Sequence, residues 1–134
     1  MQARRLEYDD YELLCQWWRE WRWEPPTRDM LPGAGTSGMI LFDDSGVPLC
    51  SGFLYTTNSH MAWVEFIISN PHVRTRAIRK AAITKLIDGL SGVAKSEGYK
   101  VCYTVAVNES LINKYIECGY TKTGSGYTEL IKTL

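Results

Sequence analysis

The stretch MAWVEFIISNPHVRTRAIRKAAITKLIDGL, residues 61–90, changes its period half-way along. Residues 61–69 are dominated by apolar, β-branched and aromatic side chains and read as a strand. Beyond Asn70-Pro71 the pattern becomes helical, with Ile78, Ala82, Leu86 and Leu90 on one stripe. A helix that opens directly after a strand presents unpaired first-turn N–H groups and the positive end of its dipole. This opening turn carries Arg74, Arg76, Arg79 and Lys80, and no acidic residue occurs from 66 to 87. Such a turn either receives a phosphate or is a solvated helix face that balances an acidic neighbour.

The flanking sequence places this junction in a larger pattern. Upstream, MILFDD (39–44) and VPLCSGFLYTT (47–57) read as strands joined through Asp44-Ser45-Gly46, with Asn58-Ser59 as the next turn. With 61–69 they predict an antiparallel meander. Residues 2–6 read as a short first strand. Asp9 or Asp10 then caps a helix through YELLCQWWREWRW, which Pro25 and Pro26 end. A loop or short helix runs from there to the break at residues 32–35. Downstream, a further helical stretch closes on Gly98, 100–107 reads as a strand, and 109–119 as a helix ending on Gly119. The remainder reads as a hairpin through Gly124-Ser125-Gly126. The order β-α-β-β-β-α-β-α-β-β predicts a mixed α/β sandwich rather than a doubly wound fold.

The whole composition narrows the function classes. The 134 residues match one domain, expected over 1–134. Fifteen basic residues balance fifteen acidic ones. A zero total argues against non-specific binding to nucleic acid or anionic membranes. No apolar run reaches the roughly 18 residues of a membrane span. The opening MQARRLEYDD turns acidic before any apolar stretch, unlike a secretory leader. Cys15, Cys50, Cys102 and Cys118 are dispersed, and neither His60 nor His72 joins them at ligand spacing. No metal site and no disulfide framework are expected, and the setting expected is a reducing cytoplasm.

The order of elements and the strand–turn–helix resemble the GNAT superfamily of acyl-CoA-dependent N-acyltransferases. Its signature runs Arg or Gln, two residues, Gly, one residue, then Gly or Ala. Arg74-Thr75-Arg76-Ala77-Ile78-Arg79 falls on that register, with Ala77 and Arg79 in place of the small residues. The resemblance implies that this loop, with Lys80, binds the pyrophosphate of coenzyme A. It implies a mostly antiparallel twisted sheet of six or seven strands with about four helices. Strands 61–69 and 100–107 would splay, freeing backbone groups of Ile67, Ile68 and Ser69 for the pantetheine amides and the oxyanion. A second match lies at Asn108, with Tyr115 seven residues on, before Cys118-Gly119-Tyr120. In the family that Tyr protonates the leaving thiolate. Taken alone, Tyr115 reads as a core tyrosine with its hydroxyl at the rim; the register match turns the reading toward a site role. A third match is Glu65, the strand carboxylate that in some members activates the amine. Taken alone, it is equally a solvent-facing residue of a half-exposed strand.

The tryptophans add an acceptor question. Trp17, Trp18 and Trp21 do not all fit one narrow stripe, so at least one is expected to leave the core. The helix and the loop after it usually wall the acceptor site in this superfamily. Trp21, Trp23 and Trp63 would then supply aromatic walls, with Asp29 or Glu24 anchoring a cation. The implied function is transfer of an acetyl group from acetyl-CoA to a primary amine of a small molecule or peptide. The alternative is a GNAT-fold binding or structural module with weakened catalysis, as in a phage accessory or virion protein. Neither nucleic acid nor membrane is expected as a partner; a homodimer or protein assembly stays open.

Overall fold

A computed structural model describes residues 1–134. Five strands form one sheet in the order β1 (Gln2–Arg5), β2 (Gly38–Phe42), β3 (Pro48–Tyr55), β4 (Met61–Ser69) and β5 (Val101–Tyr103). The first three pairings are antiparallel, and β4 pairs with β5 in parallel. Helix α1 (Asp10–Glu20) follows β1, α2 (Arg76–Ser96) follows β4, and α3 (Glu109–Glu117) follows β5. Two short 3₁₀ turns, Arg28–Met30 and Pro32–Gly35, connect α1 to β2.

The sheet separates two apolar cores. On one face, Ala82, Leu86, Ile87, Leu90 and Ala94 of α2 pack with Leu54, Ala62, Val64 and Tyr115. On the other, Leu14, Trp17 and Trp18 of α1 pack with Leu31, Ile40, Phe53 and Ile68. With both faces covered, β3 is buried along nearly its whole length, which suits its unbroken apolar run. The tryptophan expectation resolves within this packing. Trp17 and Trp18 are buried at 2% exposure each, Trp21 is half-buried, and Trp23 is 55% exposed.

The helix ends differ from the sequence reading. Helix α1 stops at Glu20, before the prolines, because Arg22 turns to φ 64°. The Trp23 N–H donates to the Trp18 carbonyl and the Arg22 N–H to the Arg19 carbonyl, the paired bonds of a Schellman stop. The two helical stretches expected between 73 and 98 are one helix of 21 residues. The count is three α-helices rather than four, with the 3₁₀ turns in the loop after α1.

The sheet has five strands rather than six or seven. Residues 121–134 form no hairpin. Tyr127, Leu130, Ile131 and Leu134 recur at three and four residues, a helical spacing that gives a strand no single apolar face. Pairing along the expected strand 100–107 ends at Tyr103, for a reason that lies in β4. There Ser51 pairs with Ile68 and Phe53 with Glu65, so Phe66 and Ile67 together oppose the single Gly52. This is a β-bulge with Phe66 in the left-handed region at φ 55°. A bulge bends its strand, and beyond Trp63 the strand has no partner on the β5 side.

Candidate active site

The loop between β4 and α2 is held by Asn70. Its side-chain amide donates to the Pro48 carbonyl at 2.8 Å, and its oxygen accepts the His72 N–H at 2.9 Å. The Trp21 indole donates to the Ser69 carbonyl at 2.8 Å, and His72 Nε2 lies 2.7 Å from Glu20 Oε2. The end of α1 therefore braces the start of α2. Thr75 occupies the N-cap of α2 without a side-chain cap bond, and the first turn holds no acid. Its N–H groups and dipole are thus left for an anion. Arg74, Thr75, Arg76, Ala77, Ile78 and Lys80 are exposed there, and Arg79 is half-exposed. No residue of this turn has a positive φ, so the helix opens normally without the glycines. Lys80 pairs with Glu117 at 3.3 Å, while Arg74, Arg76 and Arg79 have no ion-pair partner.

A fifth cation joins this group from another element. The Lys114 ammonium on α3 is held below its ordinary value, chiefly by burial and then by the charges of Lys80, Arg76 and Arg79. An anion at the α2 N-terminus would relieve that repulsion. Asn108 accepts the Leu111 N–H at 3.0 Å and caps α3, so its side chain sets the start of the helix carrying both Lys114 and Tyr115.

The second half of the site lies at the splay. The Thr104 hydroxyl, rather than a ladder bond, donates to the Val64 carbonyl at 2.7 Å. Its oxygen lies 3.4 Å from the Tyr115 hydroxyl. The Tyr115 ring is buried against Tyr120 on the α2 face, with ring centroids 4.9 Å apart. Burial first, then the Glu65 charge, push its phenol well above the ordinary tyrosine range, against the lowering effect of Thr104. Ala62 and Val64 point to the α2 core, so Trp63 and Glu65 alternate onto the opposite face. There the Trp63 indole donates to Glu65 Oε2 at 2.9 Å, and Glu65 Oε1 takes a long 3.3 Å bond from the Phe66 N–H. Tyr55 stands on the same side. Burial and the Glu65 charge push its phenol up to about 12, and its hydroxyl donates to the Met30 carbonyl at 2.7 Å. A carboxylate and a neutral phenol thus flank the gap from opposite faces of the sheet. A cleft of about 830 Å³ adjoins this site between β5, α3 and residues 120–127, lined in part by Tyr103, Thr104, Tyr115 and Tyr120.

No protein-family model and no curated protein matches the chain. Solved structures do match it. A glucosamine-6-phosphate N-acetyltransferase of Arabidopsis thaliana is similar with a TM-score of 0.63 and 15% identity, over 98% of each chain. A GNAT-superfamily phosphinothricin acetyltransferase of Sinorhizobium meliloti, solved with AcCoA, is similar with a TM-score of 0.67 and 17% identity, over 92% of this chain and 76% of its own. The Mycobacterium tuberculosis protein Rv2747, solved with CoA and NLQ, is similar with a TM-score of 0.68 and 14% identity, over 96% of this chain and 76% of its own. The chain has the GNAT fold.

Within this GNAT fold the acceptor candidates of the sequence separate into two places. Trp63 and Glu65 share one face at the splay, and Trp63 packs on Tyr103 with ring centroids 4.6 Å apart. Trp21 and Trp23 stack at the far end of β4, 6.4 Å apart. Trp23 lines a separate depression with Tyr11, Arg19, Arg22, Glu24 and Pro25. Asp29 is exposed in the first 3₁₀ turn and has neither a hydrogen bond nor an ion pair through its side chain. The sequence reading passed over Thr104, Tyr55 and Lys114. Thr104 lay inside an expected strand, and Tyr55 and Lys114 reach the site only through tertiary packing, which spacing does not register.

Proposed function

We propose that the protein transfers an acetyl group from acetyl-CoA to a primary amine by direct attack. The observation that carries this reading is the pair of unlike groups flanking the splay, Glu65 on one face and Tyr115 on the other. Acetyl-CoA would supply an activated acyl thioester. The uncapped α2 N-terminus with Arg74, Arg76, Arg79, Lys80 and Lys114 fits its pyrophosphate. The β4 backbone at Ile67 and Ile68, which has no β5 partner, fits amides laid along the gap, while the Ser69 carbonyl is already taken by the Trp21 indole.

The residues then divide the proton work. Glu65 accepts a proton from the incoming ammonium, which needs a free lone pair to attack. Tyr115 keeps its proton through neutral pH and gives it to the departing thiolate, and the second proton shed by the acylated nitrogen restores the phenol. A backbone N–H near Ile67, re-aimed by the bulge, stabilises the charge that develops on the carbonyl oxygen. Of the three similar structures, two are acetyltransferases and the third was solved with CoA, which supports the same chemistry.

The test combines binding and turnover. Acetyl-CoA at about 100 times its Kd should stabilise the fold by about 2.7 kcal/mol, raising Tm by roughly 5–10 °C. Loss of thioester absorbance with an amine panel then reports transfer. No thermal shift at millimolar acetyl-CoA would sink the reading.

A further inference from the structure

The wall around Glu65 carries chemistry that the transfer reaction itself does not require. Trp63 and Tyr103 are Cα partners on the last parallel rung of β4 and β5, and neither ring is buried. Their side chains lie on the face opposite the α2 core. Helix α1 covers that face over Ile40, Phe53 and Ile68 and meets Phe66 through Trp18, whereas Trp63 and Tyr103 lie outside that core. Phe66 and Tyr55 continue the aromatic surface, with ring centroids 6.5 Å apart. The Tyr55 hydroxyl is committed to the Met30 carbonyl, so this tyrosine offers a ligand mainly its ring.

Charge defines the rest. Glu65 belongs to no ion pair of the molecule. A carboxylate has about four acceptor positions, and Glu65 uses one on Trp63 and one weakly on Phe66. The five unmatched or crowded cations gather at the α2 N-terminus, at the other end of β4. An acceptor bearing a phosphate or carboxylate beside its amine would meet Glu65 with no cation on this aromatic wall to balance it.

Building on the acetyl-transfer reading, we propose that the acceptor is a cationic amine carried on an aromatic or flat apolar group. Its ammonium docks on the open side of Glu65, and its ring lies against the Trp63–Tyr103 pair. The electron-rich ring faces favour the ammonium as it arrives, and offset or edge contact fixes the apolar body. Tyr103 is then a specificity-determining residue with no part in the proton transfers.

Three amines separate the possibilities: phenethylamine, ethanolamine and O-phosphoethanolamine, each with acetyl-CoA and the full chain. Phenethylamine should exceed both others in kcat/KM by about tenfold or more. Tyr103→Leu should cut the phenethylamine-to-ethanolamine ratio about tenfold, mainly through the phenethylamine KM, and Tyr103→Phe should keep it. The acetyl-CoA thermal shift verifies that each variant is folded; if Tyr103→Leu does not fold, the wild-type ranking decides. A preference for O-phosphoethanolamine, or an unchanged ratio in folded Tyr103→Leu, overturns the proposal while leaving acetyl transfer intact. Absence of turnover with every amine, despite a thermal shift with acetyl-CoA, overturns the acetyl-transfer reading and this one with it.

Discussion

Tyr115 combines burial with a nearby carboxylate, and both favour its neutral form. A general acid is worth roughly 10²–10⁴ in rate, so Tyr115→Phe should lower kcat about a hundredfold or more. The acetyl-CoA thermal shift should be unchanged, because the lost hydroxyl stands at the splay and the cations stand at α2. An unchanged kcat removes Tyr115 from the acid role. The same burial has a consequence for stability. Cys50 and Cys118 are pushed up to about 12 by burial, from an ordinary thiol value of 9.0. Tyr55 is pushed up to about 12 from 10.0, and Tyr115 and Tyr120 rise as well. In each case the folded chain keeps a proton that the unfolded chain has released. Between the unfolded and folded values the unfolded state binds fewer protons, so stability falls as pH rises. Urea midpoints should be insensitive to these groups from pH 7 to 8 and decline steadily above about 9. A flat midpoint to pH 11 contradicts this. Spacing alone placed Glu65 on a strand and Arg74–Lys80 at a helix opening, because each is a local pattern, whereas the cap that Asn108 forms on α3 was not read from the sequence. Lys114 was invisible in the sequence because only the packing of α3 against α2 brings it to the cations at the α2 opening.

At the scale of elements, the bulge in β4 organises the splay. It holds a phenylalanine in a backbone region that bulky side chains rarely adopt, at a cost of order 1–3 kcal/mol. Trp18 meets the Phe66 ring edge-on at 6.3 Å and keeps it there. On the partner strand, Gly52 leaves the space that the bulge needs. A Cβ at that position would stand 2.5 Å from Ile67 Cδ1 and 3.1 Å from Leu90 Cδ1. Gly52→Ala should therefore destabilise the fold by about 1–3 kcal/mol, read from urea denaturation. It should also raise the Kd for acetyl-CoA, since Ile67 is pushed along the gap. A neutral substitution would mean that the bulge shifts without strain. The element order was legible because the switch from strand to helix at Asn70-Pro71 is strong. The bulge was not, since phenylalanine in a run of apolar residues looks like an ordinary strand residue. Its effect on β5 was therefore hidden too, and the expected strand over 100–107 contracted to three residues.

Taken as a whole, the molecule is an open sheet with a helix-packed core on each face and two edge strands, β1 and β5. Edge strand β5 is three residues long, and its outer side has no strand partner. The chain leaves α3 through Tyr120, whose N–H is bonded to the Tyr115 carbonyl and whose hydroxyl lies 2.7 Å from that of Ser91. Beyond it, residues 121–134 make no backbone hydrogen bond, and Leu130 is 89% exposed. Charge segregation at this scale was readable from the sequence: a zero total hid cations gathered at one helix opening. The last strands were not, because hairpin chemistry at Gly124-Ser125-Gly126 fixes a turn without supplying an apolar face for its arms. Protection from amide exchange follows hydrogen bonding and burial. Amides of 121–134 should exchange within seconds at neutral pH, with a boundary at Tyr120, whereas those of central strand β3 should be the slowest in the chain. Mass-resolved exchange of peptides on either side of residue 120 distinguishes the cases. Protection over 127–133 would mean that this segment pairs with the β5 edge in solution, closing an edge that the structure leaves open.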